Sequence, residues 1–536
     1  MTLIKSQIDK RSQNYTRNVE ENNKLIAEWE KKTQATIHNG KERTIKKFRD
    51  AGKLLPRERL DALLDPGSPF LELSTLAGIT VYDDELVGAS LITGVGFIEG
   101  RAVMVYCADP LVKGGSSTPI TIKKYLRAQE FALQFKLPGV HLVESAGANL
   151  MYAGEVFVPG GEIFKNITRH SAKGLPQISV VFGSSTAGGA YIPALCDEVI
   201  MVKDQAMIYL GGPPLVKWAT QEIATDEELG GAQMHTQESG VSDQLANDDA
   251  HGIMLARESV KSLPPSELNF SAHTEHQEPL YANEELLGIV SSDPRFPFDC
   301  KEVIARLVDG SDFDEFKPLF GTTLVTGFAK IHGLSIGIIA NNGILFSESA
   351  LKATHFIELC EQRRIPLVYL SNVSGFMVGK EYERGGIVKH GAKMINAVSN
   401  ATVPQFTIII GGAHGAGYYA MCGRPFEPAY IGAWPNSKTS IMGPDQGAGV
   451  LAEIRKKAVE AAGETWTSEM EENYKAPIKH MFAEQASPYY ATGRLYDDGI
   501  IDPRRTRMTL ALLLGLSQPL LKEKVADQMR FGTFRM

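Results

Sequence analysis

Two short stretches, GSSTAGGAYIPA from Gly183 and GGAHGAGYYAMCG from Gly411, crowd small residues into a turn that follows an apolar run. Turns of this kind hold a phosphate on backbone amides, seat a nucleophilic serine, or present bare N–H groups to an oxygen on which charge develops. Spacing removes the first two. A phosphate-binding loop ends in Gly-Lys-Ser/Thr, which neither stretch contains. A nucleophile elbow needs G-x-S-x-G, but Ala187 stands at the last glycine position and the second stretch has no serine. The dinucleotide fingerprint fails on the order of its glycines. What remains is a turn whose amides face outward where a helix begins, at Gly188 and Gly189 in the first stretch and Ala416 and Gly417 in the second. Small side chains let a ligand atom reach the main chain, and the helix dipole adds partial positive charge. That suits a developing oxyanion such as the oxygen of a thioester enolate. The competing reading is a tight strand–helix junction in which glycine only relieves crowding.

Each turn is preceded by another small-residue loop, ESAGAN at 144–149 and NVSGFM at 372–377, which makes Ala146, Gly147, Gly375 and Phe376 candidate substrate contacts. His414 has no counterpart in the first turn, so packing rather than general-base work is expected of it. Asp445 and Glu453 read as helix-start charges rather than a catalytic carboxylate pair. No H-E-x-x-H spacing occurs, and the five cysteines (Cys107, Cys196, Cys300, Cys360, Cys422) form no C-x-x-C pair, so no metal site is expected. Two oxyanion cradles without a protein base imply that the proton acceptor arrives with a substrate or cofactor.

The chain of 536 residues, 43% hydrophobic and 22% charged, has room for two ordinary globular domains. Its net charge of −8 argues against a general nucleic-acid partner. Residues 1–60 run the other way, with fifteen Lys and Arg against eight Asp and Glu. That excess is either a solvated helical arm or a basic lip for a phosphate-bearing ligand. The N-terminus lacks a signal-peptide core, and the longest apolar run, MTLALLLGL from Met508, is too short to cross a bilayer, so a cytosolic chain is expected.

The elements that must carry the two turns occur twice. Pro138, Gly147, Pro176, Gln177 and Gly183 meet Pro366, Gly375, Pro404, Gln405 and Gly411 at one offset, 228 residues. Upstream, Gly94 and Gly100 meet Gly327 and Gly333 at 233, so the first copy carries five more residues around KGGSSTP. ISVVFG and FTIIIG are apolar at nearly every position, as strands covered on both faces are. TIKKYLRAQEFALQF and ESALKATHFIELCEQ show helical spacing and read as crossover helices. The expected fold is α/β: two homologous, parallel-rich domains, at 51–292 and 293–536, behind a helical extension at 1–50.

NNGILFSESALKATHFIELC, GFMVGKEYERGGIVKHGAKM and GAGYYAMCGRPFEPAYIGAWPN resemble the carboxyltransferase (β) subunits of biotin-dependent acyl-CoA carboxylases, in the 3-methylcrotonyl-CoA and geranyl-CoA branch. The resemblance runs from GKLLPRERLDALLDPGSPFLEL to the C-terminus. It implies two crotonase-like domains, with the acyl-CoA enolate on Gly188 and Gly189 and the biotin ureido oxygen on Ala416 and Gly417. It also implies γ-carbon carboxylation of a 3-methyl-branched enoyl-CoA, coenzyme A phosphates near the basic lip and Lys113 in VKGG, and a hexameric β core. A separate α subunit with biotin carboxylase and biotin carrier domains is expected, since no Met-Lys-Met site is present. Location would be cytoplasmic, or the mitochondrial matrix in a eukaryote, with no nucleic acid or membrane partner. VESAGANLMYAGEVF and TDEELGGAQMH look more like the geranyl-CoA members. The alternatives are carboxylation of propionyl-CoA or acetyl-CoA, the carboxyltransferase of a biotin-dependent decarboxylase, and a biotin-free crotonase-type hydratase or isomerase.

Overall fold

The structure, a computed structural model, describes residues 2–264, 275–293, 296–522 and 531–536. Two compact units divide the chain. One comprises Lys31–His273 with Gly493–Leu495, the other Met1–Glu30, Thr274–Thr492 and Tyr496–Met536.

The first unit is built on an eight-stranded sheet: β1 (Leu71–Leu73), β2 (Leu91–Ile98), β3 (Arg101–Ala108), β4 (Gly139–Ser145), β5 (Gln177–Thr186), β6 (Glu198–Val202), β7 (Met207–Tyr209) and β8 (Gln244–Ala246). β1, β2 and β3 pair antiparallel, and from β3 through β4, β5, β6 and β8 every pairing is parallel. Along the edge away from β4, β5 serves two neighbours: its beginning pairs β6 and its end, Ser184–Thr186, pairs β7. Its first seven residues are buried, because helices cover both faces, and exposure begins at Ser184, where the turn takes over. Val180, Val181 and Phe182 lie in the core beside Leu142, Ile200 and Ile253.

The second unit repeats this plan with β9 (Asp312–Glu315), β10 (Leu324–Ile331), β11 (Leu334–Asn341), β12 (Leu367–Val373), β13 (Gln405–His414), β14 (Tyr430–Ala433), β15 (Lys438–Ser440) and β16 (Gly499–Ile500). The repeat holds to the residue. β12 and β13 stand 228 residues after β4 and β5 (367 − 139; 405 − 177), and β10 and β11 stand 233 after β2 and β3 (324 − 91; 334 − 101). The crossover helices Pro119–Gln134 and Ser347–Gln362 also differ by 228, so the extra five residues fall between β3 and its helix, at 109–118 against 342–346.

Two boundaries differ from the sequence reading. The division falls after His273 rather than after Ser292, because Arg306, buried in the second unit, pairs with Glu285 at 2.6 Å. Residues 294–295, next to the expected boundary between 292 and 293, lie outside the described residues. The N-terminal segment is helical over Gln13–Ile37 and Glu42–Asp50, but Thr2–Leu3 forms a short strand on β9, and the division between units falls within the first helix. Asn18 and Asn22 fasten that helix by donating to the carbonyls of Gly288, Leu287 and Val290.

Candidate active site

In the first unit, β5 runs out at Thr186 into one short helical turn, Ala187–Ala190, which continues into Tyr191–Ala194. A Cβ added at Gly188 would have Phe164 Cζ, 3.8 Å away, as its nearest packed neighbour. One at Gly189 would meet only Gly147 Cα and Ser185 Oγ, both at 4.0 Å. Neither glycine has a left-handed backbone, so neither crowding nor conformation demands glycine here. Ser185 is buried and donates to the carbonyl of Gly189 at 3.0 Å, which ties the turn to its strand and removes the hydroxyl as a nucleophile.

The ESAGAN loop stands beside this turn. Ala146 N–H donates to Gly114 O and Gly147 N–H to Ser145 Oγ, so the two amides expected to contact substrate are committed within the loop. What they offer a ligand is small size: Ala146 is exposed, and Gly147, at φ +83°, lies against Thr186. The five extra residues of this half explain the arrangement. Gly114 and Gly115, both left-handed, turn the chain so that their carbonyls accept from Ala146 and Ser145, and a Cβ on Gly115 would lie 2.6 Å from Glu144 O.

Two adjoining cavities run along the basic lip. One of about 560 Å³ is lined by Lys47, Lys53, Glu144, Ala146, Ser184 and Thr186. The other, of about 880 Å³, is lined by Lys32, Lys41, Lys47, Glu85 and Lys113. Lys113 is held there by Glu85, an exposed ion pair that an anionic ligand can replace at little cost.

Behind the first cavity lies a charged cluster that sequence reasoning missed. Lys53 Nζ donates to Glu144 Oε1 (2.7 Å) and to the carbonyl of Phe182 (2.8 Å). Arg59 donates to Glu144 Oε2 (2.6 Å) and Asp249 Oδ2 (2.9 Å), and its guanidinium lies 4.2 Å over the Phe182 ring. Burial raises the Asp249 carboxyl above its usual range, against the pull of Arg59. The one available signal was the half-to-half replacement of Glu144 by Asn372.

The second turn is built differently. β13 leads into the helix Gly415–Ala420, whose first N–H groups have no partner within the helix. Ala416 is exposed, but Gly417 is packed, and a Cβ there would lie 2.6 Å from Val373 Cγ2. Gly375 (φ +132°) and Phe376 pair with Ile344–Leu345, and the Phe376 ring packs on Gly391 in the core, so its side chain is spent on structure. His414 Nδ1 lies 2.9 Å from Ser440 Oγ, which itself donates to Met442 O. The imidazole therefore donates to the serine, lies against Gly412, and is pushed below its ordinary pKa chiefly by burial. Asp445 stands in the first turn of the helix Pro444–Ala461 and pairs with Lys479, whereas Glu453 lies mid-helix rather than at its start and pairs with Lys457 one turn along. Among the described residues no three His, Cys, Asp or Glu side chains gather to hold a metal, and no helix is long and apolar enough to cross a membrane.

These paired turns on a repeated sheet coincide with a known family, since the carboxyl transferase domain matches residues 47–525. The chain belongs to the carboxyl transferase family. This carboxyltransferase is 51% identical over 520 residues to the biotin-dependent 3-methylcrotonyl-coenzyme A carboxylase beta1 subunit of Mycobacterium tuberculosis, covering 96% of this chain and 98% of that one. It is 49% identical over 554 residues to the probable mitochondrial methylcrotonoyl-CoA carboxylase beta chain of Drosophila melanogaster, covering 100% and 95%. Among solved structures, the β subunit of P. aeruginosa geranyl-CoA carboxylase matches with a TM-score of 0.90 and 42% identity, over 100% of this chain and 99% of that one. The carboxyltransferase is thus of the methylcrotonyl-CoA/geranyl-CoA carboxylase type, a component of a biotin-dependent acyl-CoA carboxylase with the crotonase-like fold.

Proposed function

We propose that this β subunit moves a carboxyl group from carboxybiotin to the γ carbon of a 3-methyl-branched enoyl-CoA, with geranyl-CoA preferred. The observation that carries the reading is the empty space over Gly188 and Gly189: glycines that nothing in the chain requires are explained by an occupant. The thioester oxygen would lie on these amides, where charge developing as the enolate forms is met by N–H groups already in place. No His, Lys, Asp or Glu stands between Gly183 and Ala194, so the turn stabilises charge without removing the proton. The ureido oxygen of biotin would meet the amides of Ala416 and Gly417, where the small exposed side chain of Ala416 leaves the helix start open. Carboxybiotin, when docked, supplies the carboxyl group and leaves a ureido nitrogen that takes the γ proton. Lys41, Lys47 and Lys113 line the groove on which the coenzyme A phosphates would lie, Lys113 exchanging Glu85 for phosphate. The reading includes a separate biotin-bearing α subunit, a hexameric β core, and a cytoplasmic or mitochondrial-matrix location.

The preference for a long acyl chain rests on the helix Ala153–Ala172. Phe164, which approaches Gly188, has Gly160 one turn before it on the same face. A Cβ at Gly160 would meet only Ile122 Cδ1 at 3.8 Å, and one at Gly161 nothing within 4 Å, so the helix leaves room beside the turn. 3-Methylcrotonyl-CoA is the second reading, favoured by the 51% identity to a β subunit named for that substrate. The test is fixation of radiolabelled bicarbonate by the chain with its biotinylated partner on geranyl-CoA, 3-methylcrotonyl-CoA and propionyl-CoA. Fixation on none of them would sink the carboxylase reading. In Gly160→Phe the geranyl-to-methylcrotonyl ratio of kcat/KM should fall at least about tenfold, and an unchanged ratio would remove the basis for the long-chain preference.

A further inference from the structure

We propose that Lys53 is a positioning residue. Through Glu144 it holds the lysine-bearing lip in register with the Gly188–Gly189 turn, so that the anionic end of a coenzyme A thioester and its carbonyl oxygen are grasped at a fixed separation. The inference rests on the assignment of that turn to the thioester oxygen.

Lys53 lies just beyond the helix Glu42–Asp50, whose Thr44 and Lys47 line both cavities. Its ammonium does not reach into the groove as an open charge, because it is divided between Glu144 and the carbonyl of Phe182. Phe182 is five residues before the turn, on the strand that carries it. Glu144 in turn lies flat on that strand, in the space left by Gly183, where a Cβ would be 2.5 Å from Glu144 Oε1. Arg59 fixes the other carboxylate oxygen, and Asp249, which Arg59 also binds, accepts from the N–H of Leu54 at 3.0 Å. Two cations and two anions thus join lip, strand and loop. Such a network is held by charge-assisted bonds that a neutral replacement cannot reproduce.

The second half lacks this arrangement. At the place of Glu144 it has Asn372, whose Oδ1 accepts from the N–H of Gly412 on its own sheet and meets no cation among the described residues. The carboxylate therefore occurs in the half that has a lysine lip. Binding energy from the distant end of a substrate accelerates reaction only if that end and the reacting centre are held rigidly relative to one another.

The test uses the enzyme with its biotin-bearing partner and compares an acyl-CoA with the matching acyl-pantetheine thioester, which lacks the nucleotide phosphates. In Lys53→Met the kcat/KM advantage of the CoA thioester should fall at least about tenfold, through a lower kcat as well as a higher KM, because turnover of the CoA thioester drops by more than that of the pantetheine thioester. Lys53→Arg should keep most of the advantage. An advantage unchanged within about twofold in Lys53→Met, even with both substrates slowed equally, would overturn the proposal and leave Lys53 a merely structural residue. Should Lys53→Met fail to fold, Glu144→Gln, which keeps the side-chain shape, carries the same two outcomes. Gly189→Val distinguishes the underlying assignment: if that variant turns over both thioesters normally, the turn reading fails whatever Lys53 does.

Discussion

In the first half a methyl group added at Gly188 or Gly189 points into space; in the second, the same addition at Gly417 runs into Val373 Cγ2 at 2.6 Å and Gly375 Cα at 3.2 Å, while Ala416 already carries one. Sheets that repeat at an offset of 228 therefore present turns whose small residues are small for different reasons. Gly417 is a packing glycine, which is the crowding explanation, and it applies to one copy only. The first turn is open to an occupant that must come closer to the main chain. Substitution separates the two cases. Gly189→Val should abolish carboxyl transfer, by a factor of about 10³ or more, while circular dichroism and the unfolding transition stay near those of the parent. A folded variant with full activity would remove the oxyanion assignment. Gly417→Ala should act on stability instead, by about 1–3 kcal/mol as overpacking does, read from denaturant unfolding.

The repeat, the doubled turn and the parallel strands were legible because each leaves a local mark. Strands buried on both faces read as unbroken apolar runs, and both crossover helices began within two residues of their expected starts, at Pro119 and Ser347. The strand Thr2–Leu3 was not legible, since two residues carry no periodicity and their partner is at 312–313. The Lys53–Glu144–Arg59–Asp249 cluster was hidden for a related reason. Its members come from three separated stretches of chain, at 53–59, 144 and 249, and only folding brings them together. Ala146, Gly147 and Phe376 were placed beside the turns by their loops, but the hydrogen bonds and packing that occupy them are tertiary facts.

The supports behind the turns differ as much as the turns. The first rests on two cations and two carboxylates. Behind the second, Arg424 donates its N–H to Tyr418 Oη and pairs with Asp498 at 2.6 Å, while the adjoining Asp497 is fully buried with neither oxygen hydrogen-bonded in good geometry. Burial pushes Asp497 up to about 7, and its neighbour Asp498 adds to the rise; the Thr492 hydroxyl, Arg424 and the Gly499 N–H pull the other way. An unfolded carboxyl titrates near about 4, so between that pH and 7 the folded chain holds a proton that the unfolded chain has lost. Stability therefore falls as pH rises through this window, and the cost is complete above pH 7. Asp497→Asn should raise the unfolding midpoint relative to the parent at pH 8 and change it much less at pH 5. Equal shifts at both pH values would show that the carboxyl does not titrate in this range.

The smallest effect is expected at the imidazole of the second turn. His414 occupies the place of Thr186 (414 − 228), so the first turn does without an imidazole at the same point. Its Nδ1 is spent on Ser440, its ring lies against Gly412, and burial lowers its affinity for a proton. His414→Thr, which copies the first half, should therefore keep kcat within about tenfold of the parent, whereas loss of a general base costs about 10²–10⁴. The comparison is sharp because the substitution keeps a side chain that can bond to Ser440 and removes only the basic nitrogen. A kcat lowered into the larger range, with a pH profile flattened near the histidine's titration, would make His414 a proton acceptor and end the equivalence of the two turns.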